Sequence, residues 1–509
     1  MKKFIALMLC VVMLGTMMVS CTKKNESGSQ YAETLYVTYA DDLDSTNPYG
    51  STSSSCHFYT NSTHDVLIKN DWSTGKLVGV LAETWDDVNG DGTAWRLHLR
   101  KNVKFHDGSD FNAHDVVFTW NWAKDPANVV KPINSADAQV KSIVAEDDYT
   151  VLFTMNYAIP DFASYLELKM LSKESFDTLP VKEAAQIGTG PYKVGEIISG
   201  VSYSLTRFDE YWGGIENFHT KNIVVKYIPD LNTAAVALQT GQVDYAFILN
   251  SSSYYAIDAD PNINITKAQG CMSYYIGINS RKDVWKNVEM RKALALAINR
   301  DDIINVQFEA GIGATANYNF CVPTGAGYKD ITPIKYDVNA AKALVEKNNA
   351  TGTKVVIMAT AAYKSLAEVV QSNLNAAGFT AQIDFVDSTN WTTLKSTYDY
   401  DIFVGDYASY TGALLYNFNR FFTVGGSSNL FGFENQEWEN MMLDIQSCST
   451  YDDMLAKFAT MQQWVVDNVP LIPIAINNAY GYAREGVGGV KVAPSYNLQE
   501  LHWLYKVVD

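Results

Sequence analysis

The stretch that decides the fold runs from Leu81 to Trp122 and reads LAETWDDVNGDGTAWRLHLRKNVKFHDGSDFNAHDVVFTWNW; we call it the signature segment. Residues 83–88 are strand-like, and the Asn-Gly-Asp-Gly cluster at 89–92 predicts a turn, because glycine and asparagine tolerate positive φ. Residues 95–100 alternate apolar and polar side chains, as a half-buried strand does. The first half of the segment therefore predicts a strand hairpin.

The second half of the signature segment predicts a capped helix after a tight polar loop. Asp107 and Gly108 form a turn pair, and Asn112 is a favourable N-cap residue with Asp115 three positions later. The apolar side of the helix follows directly, and its members are Val116, Val117, Phe118 and Trp120.

The hairpin turn also resembles the start of a calcium-binding loop. Asp87, Asn89, Asp91 and Gly92 match the first positions of an EF-hand. Such a loop needs a bidentate glutamate at its twelfth position, where His98 stands in this sequence. The turn interpretation is favoured, and we expect no metal here.

The N-terminus predicts an export signal with a lipid attachment site. Lys2 and Lys3 precede a continuous apolar run, and Met-Val-Ser-Cys at 18–21 is typical of a lipoprotein cleavage box. We expect residues 1–20 to be a signal peptide, Cys21 to carry the lipid, and residues 21–30 to form a flexible tether. The alternative is an ordinary secretory signal with a cysteine there by accident.

Composition narrows the class of protein. The formal charge of the 509-residue chain is -17, and removal of Lys2 and Lys3 with the signal, which takes no acid, makes it -19. Nucleic acid is disfavoured as a partner because phosphate binding needs clustered basic residues, and none are clustered here. With 47% hydrophobic residues, the chain is large enough for two or three domains.

The cysteines of the mature chain leave two possibilities open. Cys56, Cys271, Cys321 and Cys448 are widely spaced and form no C-x-x-C pair. An exported protein could join them as disulfides in any of three pairings, and buried free thiols fit the sequence equally well.

Motifs for catalysis and cofactors are weak. Residues 311–316 match a dinucleotide fingerprint, but they follow a helix-like run and precede a polar loop, which is the wrong context. Residues 188–193 lack the Gly-Lys-Ser/Thr ending of a phosphate loop. For two groups that could ligate a metal, a structural role is favoured: Cys56 with His57 and His64, and His106 with His114. We expect no enzyme, no cofactor and no metal site, although carboxylate pairs that meet only in space stay open.

The order of several weak motifs over more than 400 residues carries a family resemblance. Together with the signature segment, they are similar to the extracytoplasmic solute-binding proteins of the oligopeptide- and dipeptide-binding type, solute-binding family 5, which feed ABC transporters. The matching segments are 36–49, 188–193, 211–214, 223–230, 233–244, 275–279, 290–300 and 469–474.

This resemblance implies an α/β fold of the periplasmic-binding-protein type, with two lobes joined by a hinge and an additional inserted domain. Lobe I would combine residues 31–58, 188–275 and 482–509. Residues 59–187 would form inserted domain II, and residues 276–481 would form lobe III. A ligand would be buried between the lobes when they close.

The resemblance also implies ligand-binding residues. In dipeptide-binding relatives a tyrosine stands two positions after an arginine that grips the ligand carboxylate. Tyr363 matches that tyrosine, but Ala361 replaces the arginine. Trp391 matches a tryptophan that lines the pocket; it could equally be a core residue of the following helix.

The residue that binds the amino group of a peptide depends on the alignment. The family aspartate lies just after a strand that residues 401–404 resemble. With a short gap Asp406 is that aspartate, and without one Ser409 takes its position. We favour Asp406.

By this resemblance the protein captures peptides and delivers them to the membrane permease of an ABC importer. It would be a monomer, lipid-anchored outside the cytoplasm to an inner or outer bacterial membrane. An oligosaccharide receptor of the same fold is the first alternative, since aromatic side chains stack on sugars and the chain holds 31 Tyr and 11 Trp. A secreted hydrolase and an adhesin or signalling lipoprotein are the others.

Overall fold

The computed structural model describes residues 30–129, 140–247, 251–408, 414–495 and 498–508. The strands are β1 (Thr34–Tyr39), β2 (Ile68–Asp71), β3 (Lys76–Gly79), β4 (Ala82–Asp87), β5 (Ala94–Leu99), β6 (Val140–Asp147), β7 (Thr150–Met155), β8 (Tyr192–Ile198), β9 (Ser202–Arg207), β10 (Asn222–Tyr227), β11 (Tyr245–Phe247), β12 (Ile263–Ile278), β13 (Ala314–Ala316), β14 (Lys354–Ala359), β15 (Thr380–Phe385), β16 (Ile402–Ala408), β17 (Leu471–Arg484), β18 (Val487–Gly488) and β19 (Tyr505–Lys506).

Helices alternate with these strands, as expected for an α/β chain. The helices are α1 (Ser54–Thr63), α2 (Ala113–Ala123), α3 (Lys173–Thr178), α4 (Val181–Ala184), α5 (Leu231–Gln239), α6 (Ser251–Asp258), α7 (Asp283–Lys286), α8 (Val288–Ala297), α9 (Arg300–Gln307), α10 (Val338–Lys347), α11 (Lys364–Ala376), α12 (Trp391–Thr397), α13 (Tyr416–Phe422), α14 (Gln436–Gln446) and α15 (Tyr451–Asn468). Short 3₁₀ turns cover Phe162–Tyr165, Glu309–Gly311, Ala361–Tyr363 and Ser388–Asn390.

The hairpin predicted in the signature segment is present. Strands β4 and β5 pair antiparallel, and β5 continues into a four-stranded sheet of order β4-β5-β7-β6. The carboxylate of Asp87 accepts hydrogen bonds from the backbone N–H groups of Gly90 (3.1 Å) and Gly92 (2.6 Å). Position 92 requires a glycine for two reasons. Its φ is 72°, which is in the left-handed region, and a Cβ would lie 2.8 Å from the Ile159 nitrogen. The carboxylate of Asp87, which would be the first calcium ligand, is therefore used to hold the turn.

The capped helix of the signature segment is confirmed as α2. The Asn112 side chain accepts a hydrogen bond from the His114 N–H, and the Asp115 carboxylate accepts the Asn112 N–H at 2.9 Å, which completes a capping box. Trp120 is buried and packs against Phe153 and Phe162. These side chains belong to the core between the helix and the four-stranded sheet.

The largest sheet has 11 strands in the order β15-β14-β16-β12-β17-β11-β1-β10-β9-β8, with β13 also paired to β17. Strands β12 and β17 are long and antiparallel, and they pair from Ile263 opposite Arg484 to Gly277 opposite Leu471. Their register is interrupted between Gln269 and Ser273. These two strands carry the sheet from one half of the molecule to the other.

The predicted division into lobe I, domain II and lobe III stays a prediction. Its boundaries at 275/276 and 481/482 fall inside β12 and β17, so these strands belong to both predicted lobes. In the described part of residues 59–187, the strands of the four-stranded sheet pair only among themselves, and β2 and β3 pair only with each other.

Apart from the exposed Lys354 and Asp406, strands β14 and β16 are largely buried on both faces, and their sequences are accordingly mostly apolar. Val355 and Ile357 contribute to one core, whereas Met358 contributes to a second core on the other face. In β16, Val404 lies in the first core and Phe403 in the second. The second core is unusually aromatic and extends over α13, α14 and α15.

Two further findings concern membranes and thiols. Within the described ranges, no helix combines the length and apolar character that crossing a bilayer requires.

Cys56, Cys271, Cys321 and Cys448 are free thiols. Of the two possibilities that the sequence left open, disulfides and free thiols, the structure therefore has free thiols.

Candidate ligand-binding site

Three parallel strands end at the same edge of the large sheet. Strand β14 pairs parallel with β15 on one side and with β16 on the other. The chain leaves β14 into the 3₁₀ turn Ala361–Tyr363 and leaves β15 towards Trp391 at the start of α12. In open α/β sheets, ligands bind outside the carboxyl ends of parallel strands. Two of the predicted ligand residues therefore lie where such a site is expected.

Tyr363 and Asp406 meet at this edge. The hydroxyl of Tyr363 donates a hydrogen bond to Oδ1 of Asp406 across 43 positions of sequence. Burial raises the pKa of Tyr363, and the hydrogen bond to the carboxylate raises it further, so the tyrosine stays a donor at any physiological pH. Asp406 itself is exposed. Its carboxylate keeps accepting capacity for an external cation.

Asp406 lies inside β16, not after it as the resemblance suggests, because the strand continues to Ala408. It stands opposite Tyr274 of β12 in the antiparallel pairing. The ring of Tyr274 is 6.3 Å from that of Tyr363 and 4.7 Å from that of Phe308. The carboxylate therefore lies on the face of the sheet that carries Tyr274 and Tyr363.

Trp391 is half-buried. Its ring meets that of Phe403 edge to face, with centroids 5.8 Å apart and planes at 82°. One side of the indole thus packs on the aromatic core while the remainder is open to solvent. A side chain in this situation can offer a stacking surface to a ligand.

Lys395, which our sequence interpretation missed, lies beside Trp391 on the face of the sheet that carries Phe403 and the second core, whereas Asp406 and Tyr363 lie on the face of the first core. It follows Trp391 by four positions on α12, so the two side chains share a helix face. Its Nζ is 5.7 Å from the ring centroid of Trp391 and 5.7 Å from that of Phe403. The i, i+4 spacing was the available signal, but only the fold brings Phe403 close to this lysine.

Burial and two neighbouring charges act on the pKa of Lys395 in different directions. Burial lowers the pKa of Lys395, the negative charge of Asp406 opposes that shift, and the positive charge of Arg420 adds to it. We call Tyr363, Trp391, Lys395 and Asp406 the strand-end cluster. It combines one exposed carboxylate, one half-buried ammonium group and two aromatic rings.

The remaining predicted site residues differ in outcome. Ala361 lies exposed in the 3₁₀ turn, so no cation extends from that position. Ser409 and the lipidation residue Cys21 lie outside the described residues. The choice between Asp406 and Ser409 as the amine-binding residue therefore stays a prediction, and the hydrogen bond from Tyr363 supports Asp406.

The groups considered for metals and nucleotides have structural surroundings. Nε2 of His106 is 2.9 Å from the Gly190 carbonyl oxygen, and Nδ1 of His64 is 2.8 Å from the Thr63 hydroxyl. In the described part of the chain, no three His, Cys, Asp or Glu residues are grouped for metal binding. Residues 314–316 of the dinucleotide-like motif form β13 and pair with β17, so the motif does not lie between a strand and a helix.

Comparison with known proteins gives the family. The model of bacterial extracellular solute-binding proteins, family 5, matches residues 76–429. The oligopeptide-binding protein AppA of Bacillus subtilis is 26% identical over 464 residues, covering 84% of this chain and 83% of that protein. The dipeptide-binding protein of Escherichia coli is 24% identical over 465 residues, covering 84% and 86%.

Solved structures agree on the fold. HbpA2 from Haemophilus parasuis superposes with a TM-score of 0.85 at 22% identity, covering 93% of this chain and 100% of that one. The periplasmic binding protein DppA from Helicobacter pylori, in complex with the peptide STSA, gives 0.70 at 24% identity, covering 94% and 99%. The predicted α/β periplasmic-binding-protein fold is confirmed, and the chain belongs to the family 5 of bacterial extracellular solute-binding proteins.

Proposed function

We propose that this protein is the receptor of an ABC importer, which captures peptides between its lobes and delivers them to a membrane permease. The observation that carries the proposal is the contact between Tyr363 and Asp406 at the carboxyl edge of β14 and β16. It orients an exposed carboxylate where a peptide's ammonium group can bind. A charge-assisted hydrogen bond of this kind contributes about 1.5–3 kcal/mol. The names of two relatives, an oligopeptide-binding and a dipeptide-binding protein, support the same ligand class.

The proposed mechanism is closure of the lobes around the ligand. The empty protein favours the open form, and a peptide that contacts both lobes shifts the population to the closed form. Strands β12 and β17 would bend where their register is interrupted near Gln269 and Ser273. The permease would then distinguish the closed form, and hydrolysis of ATP would belong to a separate protein.

The test of this proposal is a thermal-shift screen with random tri- to hexapeptides that have free termini. An oligosaccharide panel is the matched comparison. We expect peptides, and not oligosaccharides, to raise the melting temperature in a saturable manner. A protein stabilised by oligosaccharides but by no peptide contradicts the proposal, and turnover of any bound compound contradicts the receptor role.

The lipid anchor is a separate part of the proposal and rests on Cys21 and the apolar run before it. Several acyl chains on this cysteine would hold the mature protein stably at a membrane, whereas a single chain would not. In fractionated cells, we expect the wild-type protein to sediment with membranes and the Cys21→Ser variant to stay in the supernatant. Equal distribution of the two proteins contradicts lipidation at Cys21.

A further inference from the structure

The pairing of β12 with β17 contains a bulge near its middle. Before the bulge, Gln269 pairs with Asn478. After it, Ser273 pairs with Ile476, so residues 270–272 of β12 face a single residue of β17. A bulge interrupts the regular ladder of hydrogen bonds and bends the strand that carries it. The remaining N–H groups of the bulge therefore need partners other than the facing backbone.

Two neighbouring N–H groups of the bulge bind opposite halves of the molecule. The Cys271 N–H donates to the carbonyl oxygen of Pro494 at 3.1 Å, and both residues belong to the predicted lobe I. The Met272 N–H donates to the side-chain Oδ1 of Asn477 at 2.8 Å, and Asn477 belongs to the predicted lobe III. A side chain thus takes the place of a ladder carbonyl at the point where the chain crosses between the lobes.

The backbone of Asn477 is held from the side of the predicted lobe III. On the other edge of β17, Asn477 pairs antiparallel with Ala314 of β13. The next residue, Asn478, donates its backbone N–H to the carbonyl oxygen of Gly313 at 2.9 Å. The backbone is therefore fixed here, and only the side chain of Asn477, which turns about two torsions, reaches across to the bulge.

Gly270 makes room for that side chain. A Cβ at position 270 would overlap Oδ1, Cγ and Nδ2 of Asn477, which are the three atoms nearest to it. The φ of Gly270 is not in the left-handed region, so its backbone conformation is open to other residues. The requirement for glycine at position 270 therefore comes from the side chain of Asn477.

We propose that the contact between Gly270 and Asn477 is the pivot of the two lobes and sets the balance between their open and closed forms. This inference rests on the proposed receptor function and names two positioning residues for it, neither of which needs to touch the ligand. The ladder on both sides keeps each half of β12 rigid, so the bulge and the Asn477 amide absorb a change in the angle between the lobes. Because ligand binding is coupled to closure, a residue that shifts this balance also shifts the affinity.

A double-mutant cycle tests the contact. Gly270→Ala should change the affinity for a peptide selected by the wild-type protein by about tenfold, because the new Cβ displaces the side chain of Asn477. In the Asn477→Ala background the same substitution should change the affinity by less than about threefold, because the overlapping atoms are gone. Titration calorimetry measures both effects. Asn264→Ala, at an exposed position of β12, is the matched control and should bind as wild type.

Small-angle X-ray scattering of the empty variants gives the direction of each change. A variant whose radius of gyration falls below that of wild type should bind peptide more tightly, and one whose radius rises should bind more weakly. A merely structural role would lower the unfolding free energy but leave the radius and the affinity unchanged. That result overturns the proposal, as does an equal effect of Gly270→Ala in both backgrounds or a more compact variant that binds more weakly.

Hydrogen exchange of the wild-type protein decides the question even if Gly270→Ala does not fold. Mass spectrometry of overlapping fragments across β12 compares exchange with and without bound peptide. We expect the difference to be centred on residues 270–272, with the ladder on either side unchanged. A difference centred elsewhere in β12, or none although a peptide binds, overturns the pivot and leaves the receptor function standing. If no peptide binds, the receptor function is wrong, and the same cycle read from the radius of the empty protein still decides whether the contact is the pivot.

Discussion

The signature segment and the strand-end cluster treat their charges in opposite ways. In the signature segment, every acid and every arginine has a partner within the protein: Arg96 binds Glu146, Arg100 binds Glu83, and Asp87 and Asp115 bind backbone N–H groups. In the strand-end cluster, Asp406 has a tyrosine hydroxyl as its hydrogen-bond donor, and the ammonium group of Lys395 contacts aromatic rings but has no hydrogen-bonded anion among the described residues. Charges satisfied internally stabilise a fold, whereas charges left unsatisfied at a strand edge are available to a ligand.

The comparison predicts that the signature segment serves stability alone. Trp120 is buried and packs against Phe153 at 5.2 Å, so Trp120→Ala should cost about 3–5 kcal/mol of unfolding free energy in urea denaturation. At a temperature where the variant is folded, peptide affinity should stay within about twofold of wild type. Trp122→Ala, at a half-buried position of the same helix, should cost clearly less. A large loss of affinity in folded Trp120→Ala would contradict the division of roles.

A buried carboxylate next to the signature hairpin should make the unfolding free energy depend on pH. Asp161 follows Ile159, which contacts the signature hairpin, and it accepts the backbone N–H of Leu414. Burial raises the pKa of Asp161 from 3.8 to about 6 despite backbone hydrogen bonds. The folded protein therefore favours the protonated carboxyl group. Its contribution is fully present below about pH 4 and is lost as the pH rises through 6.

Asp161→Asn should remove this dependence. Relative to wild type, the variant should gain on the order of 3 kcal/mol of unfolding free energy between pH 4 and pH 7, because one pKa unit corresponds to about 1.4 kcal/mol. Urea denaturation at the two pH values measures it, with Asp330→Asn at an exposed aspartate as the control. An unchanged pH profile would mean that Asp161 ionises freely in the folded state.

Trp391 should behave in the reverse manner to Trp120. Because its ring is half-buried and stacks only edge to face on Phe403, Trp391→Ala should cost about 1–2 kcal/mol of stability. Loss of a stacking surface should weaken peptide binding by about tenfold in calorimetry, and Trp391→Phe should restore most of it. If stability falls as in Trp120→Ala while affinity is unchanged, Trp391 is the core residue that our sequence analysis kept as an alternative.

The smallest effect is expected for the surface ion pairs of the signature segment. Arg96 binds Glu146 through two hydrogen bonds, with Nε at 2.7 Å from Oε2, but both side chains are about one third exposed to solvent. Glu146→Gln should therefore change the unfolding free energy by less than about 1 kcal/mol and leave peptide affinity unaltered. A larger effect in low salt that vanishes in high salt would identify a stronger pair than this exposure implies.

The sequence predicted what depends on neighbouring residues. The capping box of α2 and the turn after β4 follow from Asn112, Asp115 and Gly92, whose partners lie within five positions. The strand-end cluster depends on distant contacts, since Tyr363 meets Asp406 across 43 positions. The resemblance supplied these two residues, but not their contact. Nothing local to Lys395 identifies it except its spacing from Trp391.

The central claim is that Asp406 binds the ammonium group of a peptide. Titration calorimetry of a peptide selected by the wild-type protein, with a free and with an acetylated N-terminus, tests it most directly when repeated on Asp406→Asn. We predict that acetylation weakens binding to wild type by about ten- to hundredfold and that Asp406→Asn binds both forms equally weakly. If Asp406→Asn still prefers the free amine as strongly as wild type, the claim is contradicted and the amine is bound elsewhere, with Ser409 the first residue to substitute next.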